Sequence, residues 1–238
     1  MQLRNLTIPY AQPAVFAPMA GFTDAACRHL MAEHGAAWTV SEMASAKAIT
    51  FGDDKSVRLL RDKAPHGIYA VQLFGAEPET MAQAIRIIQE KGVQFDILDI
   101  NMGCPAPKIT SSGAGSKLMQ DPELCGRMVA AARGALGPDK PLTVKMRIGW
   151  DAEQLTGVAV ARQCEANGAD LIAVHGRTRE QMYIPPIDVD AITEIRKAVG
   201  IPVLANGDIT TAEDADFGAN RLRGRDDRPR RAGRPLAV

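Results

Sequence analysis

The sequence predicts an α/β chain of the TIM-type (β/α)8 barrel class, on three observations. Short apolar runs rich in β-branched residues alternate with longer segments of helical period from residue 14 to residue 206. The repeat is about 25 to 45 residues per βα unit. Polar or reactive residues fall at the carboxyl ends of the apolar runs, the rim on which such barrels build their sites. A doubly wound open sheet would share these features. The Gly-x-Gly-x-x-Gly turn expected after its first strand is missing, however, and Ala17-Pro18-Met19-Ala20-Gly21 stands in its place.

Seven strands are expected: Ala14–Met19, Trp38–Ser41, Ile68–Leu73, Ile97–Asn101, Leu142–Met146, Leu171–His175 and Val203–Asn206. Between them, Pro78–Lys91 and Pro122–Leu136 carry apolar residues at spacings of three and four. Their ends carry helix signals. Gly92 follows Lys91, and Asp121-Pro122 reads as an N-cap with proline in the first turn.

Apolar residues make up 46% of the chain and charged residues 24%, and no run approaches the length that would span a bilayer. This argues against membrane, collagen-like and fully disordered classes. The start, Met1-Gln2-Leu3-Arg4-Asn5, lacks the cationic segment and apolar run of an export signal, so a cytoplasmic location is expected. Cys27, Cys104, Cys125 and Cys164 form no Cys-x-x-Cys pair and have no histidines at zinc spacing, so neither a disulfide framework nor a metal site is expected. The net charge of zero hides an asymmetry: residues 221–234 hold seven arginines and two aspartates. Such a tail could bind nucleic acid or be a solvated end.

The most informative segment is Asp99-Ile100-Asn101-Met102-Gly103-Cys104-Pro105 at the end of the fourth strand. A cysteine between glycine and proline in a strand-to-helix loop is unlike a core cysteine. A thiol with an ordinary pKa of roughly 8.5 is mostly protonated near neutrality and can donate a proton. Lys145 closes the fifth strand, where burial without an anionic partner would be costly. It could be a Schiff-base lysine, a lysine set against an electron-rich cofactor, or half of a rim salt bridge. His175 closes the sixth strand at the level of Lys145, Cys104 and Gln72; His29, His34 and His66 lie in helix or loop contexts. Asn206-Gly207-Asp208 follows the seventh strand, where a glycine lets backbone amides approach an anion, although Asn-Gly is also a plain turn signal.

Taken in order, Ala17 to Asp24, Gln72-Leu73-Phe74-Gly75, Asn101 to Pro105, Lys145-Met146-Arg147, His175 to Arg179 and Asn206 to Ile209 resemble the bacterial tRNA-dihydrouridine synthases, from residue 3 to residue 215. The resemblance implies an FMN enzyme that reduces the C5=C6 bond of tRNA uridines, with NADPH reloading the flavin. It implies that Pro18, Met19 and Ala20 lie along the flavin ring and that Gln72 and Lys145 hydrogen-bond its polar edge. His175 would contact cofactor or base, and Asn206, Gly207 and Asp208 would hold the ribityl phosphate. Cys104 would be the catalytic acid delivering a proton to C5, with Asn101, Lys108 and Arg177 as substrate contacts. The target base must leave its stack to meet the flavin. Two other readings stand beside this one: a Schiff-base aldolase using Lys145, and a non-catalytic RNA-binding remnant using the arginine tail.

The chain departs from the family after residue 215. The expected eighth strand with its Gly-Arg phosphate clamp and a C-terminal helical domain do not follow, and Ile184-Pro185-Pro186-Ile187 replaces a Gly-x-Ala-Asp-Trp type of segment. Codons for residues 221–237 read one nucleotide later can encode a string like the absent strand, so the tail is expected to be a frameshifted translation. The expected organisation is an incomplete FMN-binding barrel over residues 1–215 and a disordered arginine-rich tail over 216–238. An unclosed barrel would leave strand edges unpaired, so weak or absent FMN binding, poor solubility and little or no tRNA reduction are expected of this chain.

Overall fold

The computed structural model describes residues 1–8, 14–61, 63, 67–209 and 211. Its centre is a parallel sheet in which β3 (Trp38–Val40), β5 (Ile68–Phe74), β6 (Ile97–Met102), β7 (Leu142–Gly149), β8 (Leu171–Thr178) and β9 (Val203–Asn206) follow one another in sequence order. The two-residue β4 (Ala44–Ser45) pairs with the end of β5. An antiparallel hairpin, β1 (Gln2–Leu3) and β2 (Leu6–Thr7), precedes the sheet. Helices α4 (Pro78–Glu90), α6 (Pro122–Leu136), α7 (Gly157–Ala166) and α8 (Val189–Ala198) return the chain between strands. This is the parallel α/β arrangement of a TIM-type barrel wall.

Most expected elements lie where the periodicity puts them. Helix α6 spans Pro122–Leu136, with the Asp121 carboxylate accepting from the Leu124 amide at 2.9 Å. Helix α4 ends at Glu90 rather than Lys91, which caps it. Strands β7 and β8 run three residues further than expected: Arg147 pairs with His175 and, beyond a register shift, Gly149 pairs with Thr178. The first expected strand, Ala14–Met19, does not form. It is reduced to a single bridge between Phe16 and Thr39, held by Phe16 N–H to Trp38 C=O at 3.1 Å and Ala37 N–H to Ala14 C=O at 2.8 Å. Pro18 has no N–H to continue the ladder, and the chain turns at once, with the Phe22 and Thr23 amides both donating to Met19 C=O. The seventh strand of the described sheet is instead β4, which the sequence pattern did not reveal. The arginine-rich tail and the frameshift reading lie outside the described residues, as does His66.

Strand alternation sorts side chains onto two faces. Leu98, Ile100, Met102, Val144, Met146 and Val174 face outward into the core shared with the helices, and all are fully buried. The inward face is closed at its base by a smaller cluster of Leu3, Ile8, Trp38, Val40, Ala70, Ile97 and Leu171. Above that apolar plug, registered rows carry polar side chains upward: Gln72, Asp99 and Thr143, then Asn101 and Lys145, then Arg147, His175 and Asn206.

Candidate active site

The lowest polar row is a hydrogen-bonded unit. Asp99 is buried and accepts from Thr143 Oγ1 and from Gln72 Nε2 at 2.6 Å. Burial raises its pKa, against the opposing pull of the Thr143 and Gln72 hydrogen bonds and the Lys145 charge. Gln72 is also buried; its Oε1 accepts from Asn101 Nδ2 at 2.9 Å, and its backbone amide donates to Ser41 Oγ at 2.9 Å. Asn101 Oδ1 accepts the backbone amides of Gly103 at 3.1 Å and Cys104 at 2.9 Å.

That pair of bonds fixes the start of the loop bearing Cys104. Its far side is pinned by the Ser116 amide and hydroxyl, each donating to Cys104 C=O at 3.0 Å. The close approach requires glycine at position 115: its φ is +61°, and a Cβ there would lie 2.7 Å from Cys104 O. Cys104 is half-buried, and its thiol makes no hydrogen bond to a described residue.

Lys145 pairs in register with Asn101, so its side chain stands on the same wall as the Cys104 loop. Burial and the neighbouring Arg147 guanidinium push its amine down to about 7, with Asp99 opposing. It makes no hydrogen bond or ion pair to a described residue. His175, one row higher, is held neutral: burial and the charges of Lys145, Arg147 and Arg177 push it down to about 2. Arg177 Nε donates to Ile184 C=O at 2.9 Å, its Nη1 lies 3.2 Å from His175 Nε2, and its Nη2 meets both carboxylate oxygens of Asp208. The segment at 184–187, which departs from the family pattern, thus still holds Arg177. Gly207 has φ +114°, and a Cβ there would lie 2.7 Å from Ile187 Cγ2 and 2.8 Å from His175 Cδ2.

Of the residues singled out in the sequence, Gln72, Asn101, Cys104, Lys145, His175, Arg177, Asn206, Gly207 and Asp208 occupy connected strand ends on one rim. Pro18, Met19 and Ala20 form the turn beside β3, with Met19 59% exposed. That turn is tied to the sheet by the Gly21 amide, which donates to Glu42 Oε2 at 3.1 Å. Lys108 is exposed on the single-turn helix α5 (Pro107–Thr110), away from this hydrogen-bonded unit. Three participants were not assigned from sequence: Asp99, Glu42 and Arg147. Arg147 is almost fully buried and donates to the carbonyls of Gly103 at 2.9 Å, Thr178 at 2.7 Å and Met182 at 2.8 Å, stitching the ends of β6 and β8 together. The signal that found Lys145, a charge inside an apolar strand, was equally present at Asp99 and Arg147. Glu42 carried none.

Among the described residues, no cluster of three or more histidine, cysteine or acidic side chains is placed to hold a metal, and no helix is long and apolar enough to cross a membrane. The fold and site define a parallel α/β sheet of the TIM-barrel type, unclosed among the described residues, with a rim of polar strand ends above an apolar plug. Solved structures share this fold at low sequence identity. DHODH from Eimeria tenella in complex with ferulenol aligns with a TM-score of 0.63 and 13% identity over 88% of this chain and 73% of that one. A variant of NCR from Zymomonas mobilis aligns with a TM-score of 0.62 and 14% identity over 95% and 83%. The chain belongs to the dihydrouridine synthase (Dus) family, whose sequence model matches residues 15–221. It is 45% identical over 203 residues to tRNA-dihydrouridine synthase B of Shewanella oneidensis, covering 85% of this chain and 62% of that protein. It is 40% identical over 215 residues to tRNA-dihydrouridine synthase B of Xanthomonas campestris, covering 90% and 63%. The chain thus spans about three fifths of the length of these relatives.

Proposed function

We propose that this chain is the flavin-binding barrel of a cytoplasmic enzyme that reduces uridine to 5,6-dihydrouridine in tRNA, with FMN as cofactor and NADPH as reductant. The barrel is assigned to residues 1–215, with 216–238 outside it. The observation that carries the proposal is the meeting, on one rim of a chain of this family, of a Lys145 amine with no ion pair among the described residues, a buried amide at Gln72 and the pinned Cys104 loop. The names of the relatives support tRNA as the substrate.

The donor set fits a flavin. Lys145 is a partly buried amine with no ion pair to a described residue, and an electron-rich ring edge would supply the missing partner. Gln72 has one Nε2 hydrogen beyond the one given to Asp99. Pro18, Met19 and Ala20 would line the ring. Around the ribityl phosphate, Asn206 would donate from its side chain and Gly207 from its backbone. The Asp208 carboxylate is occupied by Arg177, so its contribution would come from the main chain. His175, kept neutral, would hydrogen-bond cofactor or base without adding charge.

FMN, when bound and reduced, would be the source of the hydride that C6 of the uracil receives. Cys104 would hold the proton that goes to C5, which completes the saturation of the C5=C6 bond. Asn101, Lys108 and Arg177 are the proposed substrate contacts. The rim also carries Trp150 with Lys117 5.1 Å and Arg179 4.8 Å from its ring centroid, a cationic and aromatic surface suited to RNA.

One observation favours a second reading. An amine at about 7 is partly neutral at physiological pH and could attack a carbonyl, as a Schiff-base aldolase requires. The test is titration of FMN into the purified chain, followed by nucleoside analysis of tRNA incubated with NADPH. Flavin binding that weakens at least about tenfold in Lys145→Met, the loss of one charge-assisted contact, is expected. No FMN binding, together with borohydride trapping of Lys145 on a carbonyl compound, would overturn the reductase reading in favour of the aldolase.

A further inference from the structure

We propose that Asp99, buried in the lowest polar row and hydrogen-bonded to Gln72 and Thr143, is the residue that positions Cys104, acting through Gln72 and Asn101. This inference rests on the assignment of Cys104 as proton donor, but its geometry stands apart from any cofactor. A carboxylate that accepts two hydrogen bonds can only receive, so Gln72 must turn its amino group toward Asp99. Its carbonyl then faces away and accepts from Asn101 Nδ2. The Asn101 carbonyl is thereby aimed at the Gly103 and Cys104 amides, which can only donate. Both ends of the chain impose the same direction, so neither side-chain amide can flip without setting donor against donor or acceptor against acceptor. The buried carboxyl at the foot of this relay thus determines where the loop bearing the thiol begins. Asn101 sets its remaining hydrogen 3.6 Å from Met43 Sδ, a weak acceptor that a substrate oxygen could displace without disturbing the other bonds.

The test is the rate at which iodoacetamide alkylates Cys104 in the full chain, read by peptide mass mapping with the half-buried Cys27 as internal reference. Asp99→Leu and Asn101→Ala are each expected to raise the Cys104 rate about fivefold or more, the population change set by one net hydrogen bond, and to leave Cys27 unchanged. Because Asp99 acts only through Asn101, the double variant should react no faster than Asn101→Ala alone. Asp99→Asn should restore the wild-type rate, since its carbonyl can accept from Gln72 while its amino group donates to the Thr143 hydroxyl. If Asp99→Leu does not fold, Gln72→Met breaks the middle link and carries the same expectations. A Cys104 rate within about twofold of wild type in Asp99→Leu and Asn101→Ala, or effects that multiply in the double variant, would overturn the proposal. Alkylation needs no flavin, so failure to bind FMN would count against the proposed function and leave this result standing.

Discussion

Replacing Arg147 by Met would remove the clamp that joins the strand ends. The guanidinium makes three hydrogen bonds to backbone carbonyls, at 2.9, 2.7 and 2.8 Å, and the side chain is only 2% exposed. A bond from a charged donor contributes about 1.5 to 3 kcal/mol net, so the three together give roughly 4 to 9 kcal/mol. Against this stands the relief of a desolvated cation, whose pKa burial already pulls down to about 10, with Tyr183 and Cys104 opposing that shift and Arg177 adding to it. Met roughly fills the space and recovers some apolar burial, but takes the guanidinium donor from the buried Gly103 and Thr178 contacts and from the part-buried Met182 contact. The balance is a loss of about 3 to 5 kcal/mol, the range found when one partner of a buried charged contact is removed. With a urea m-value of about 2 to 3 kcal/mol per molar, the midpoint should fall by about 1 to 2.5 M. Arg147→Lys keeps the charge but not the planar fork and should recover less than half of the loss. Urea unfolding followed by far-ultraviolet circular dichroism checks this. A midpoint for Arg147→Met within about 0.3 M of wild type would show that the three contacts contribute little, and would refute the clamp.

Three further outcomes follow from the site. Gly207→Ala puts a Cβ within 2.8 Å of both Ile187 and His175 at φ +114°. It should cost about 2 to 4 kcal/mol from backbone strain plus overpacking, read as a lowered Tm. The His175 pKa is about 2 in the fold against an ordinary 6.5, so the unfolded chain binds the extra proton between those values and stability falls as pH drops through that window. A His175→Gln variant should show a shallower loss of stability between pH 6 and pH 4 than wild type in acid titrations of the Tm. Lys145 is lowered from 10.5 to about 7, so the unfolded chain again holds the extra proton in that interval and stability rises with pH across it. The stability difference between Lys145→Met and wild type should therefore favour the variant most near pH 6 and shrink toward pH 10; a difference that does not change with pH would refute the burial of that amine.

The sequence by itself determined the wall of the barrel and the identity of its rim. Periods of two and of about 3.6 placed β5 to β9 and the helices α4 and α6 because each buries a continuous apolar face, and burial is written directly in residue order. The same pattern misjudged Ala14–Met19, whose apolar residues are genuine but whose proline removes the donor a strand needs. Lys145 and Cys104 stood out because a charge or a thiol among glycine, proline and apolar neighbours needs a reason to be there.

Tertiary structure alone decided the partnerships. Asp99, Gln72 and Thr143 come from three strands, and only the parallel register makes them one unit. Arg177 and Asp208 lie 31 residues apart yet close on each other, which turns two proposed ligand contacts into an internal ion pair. Hydrogen-bond direction depends on which donor meets which acceptor in space, and linear order carries no record of that meeting.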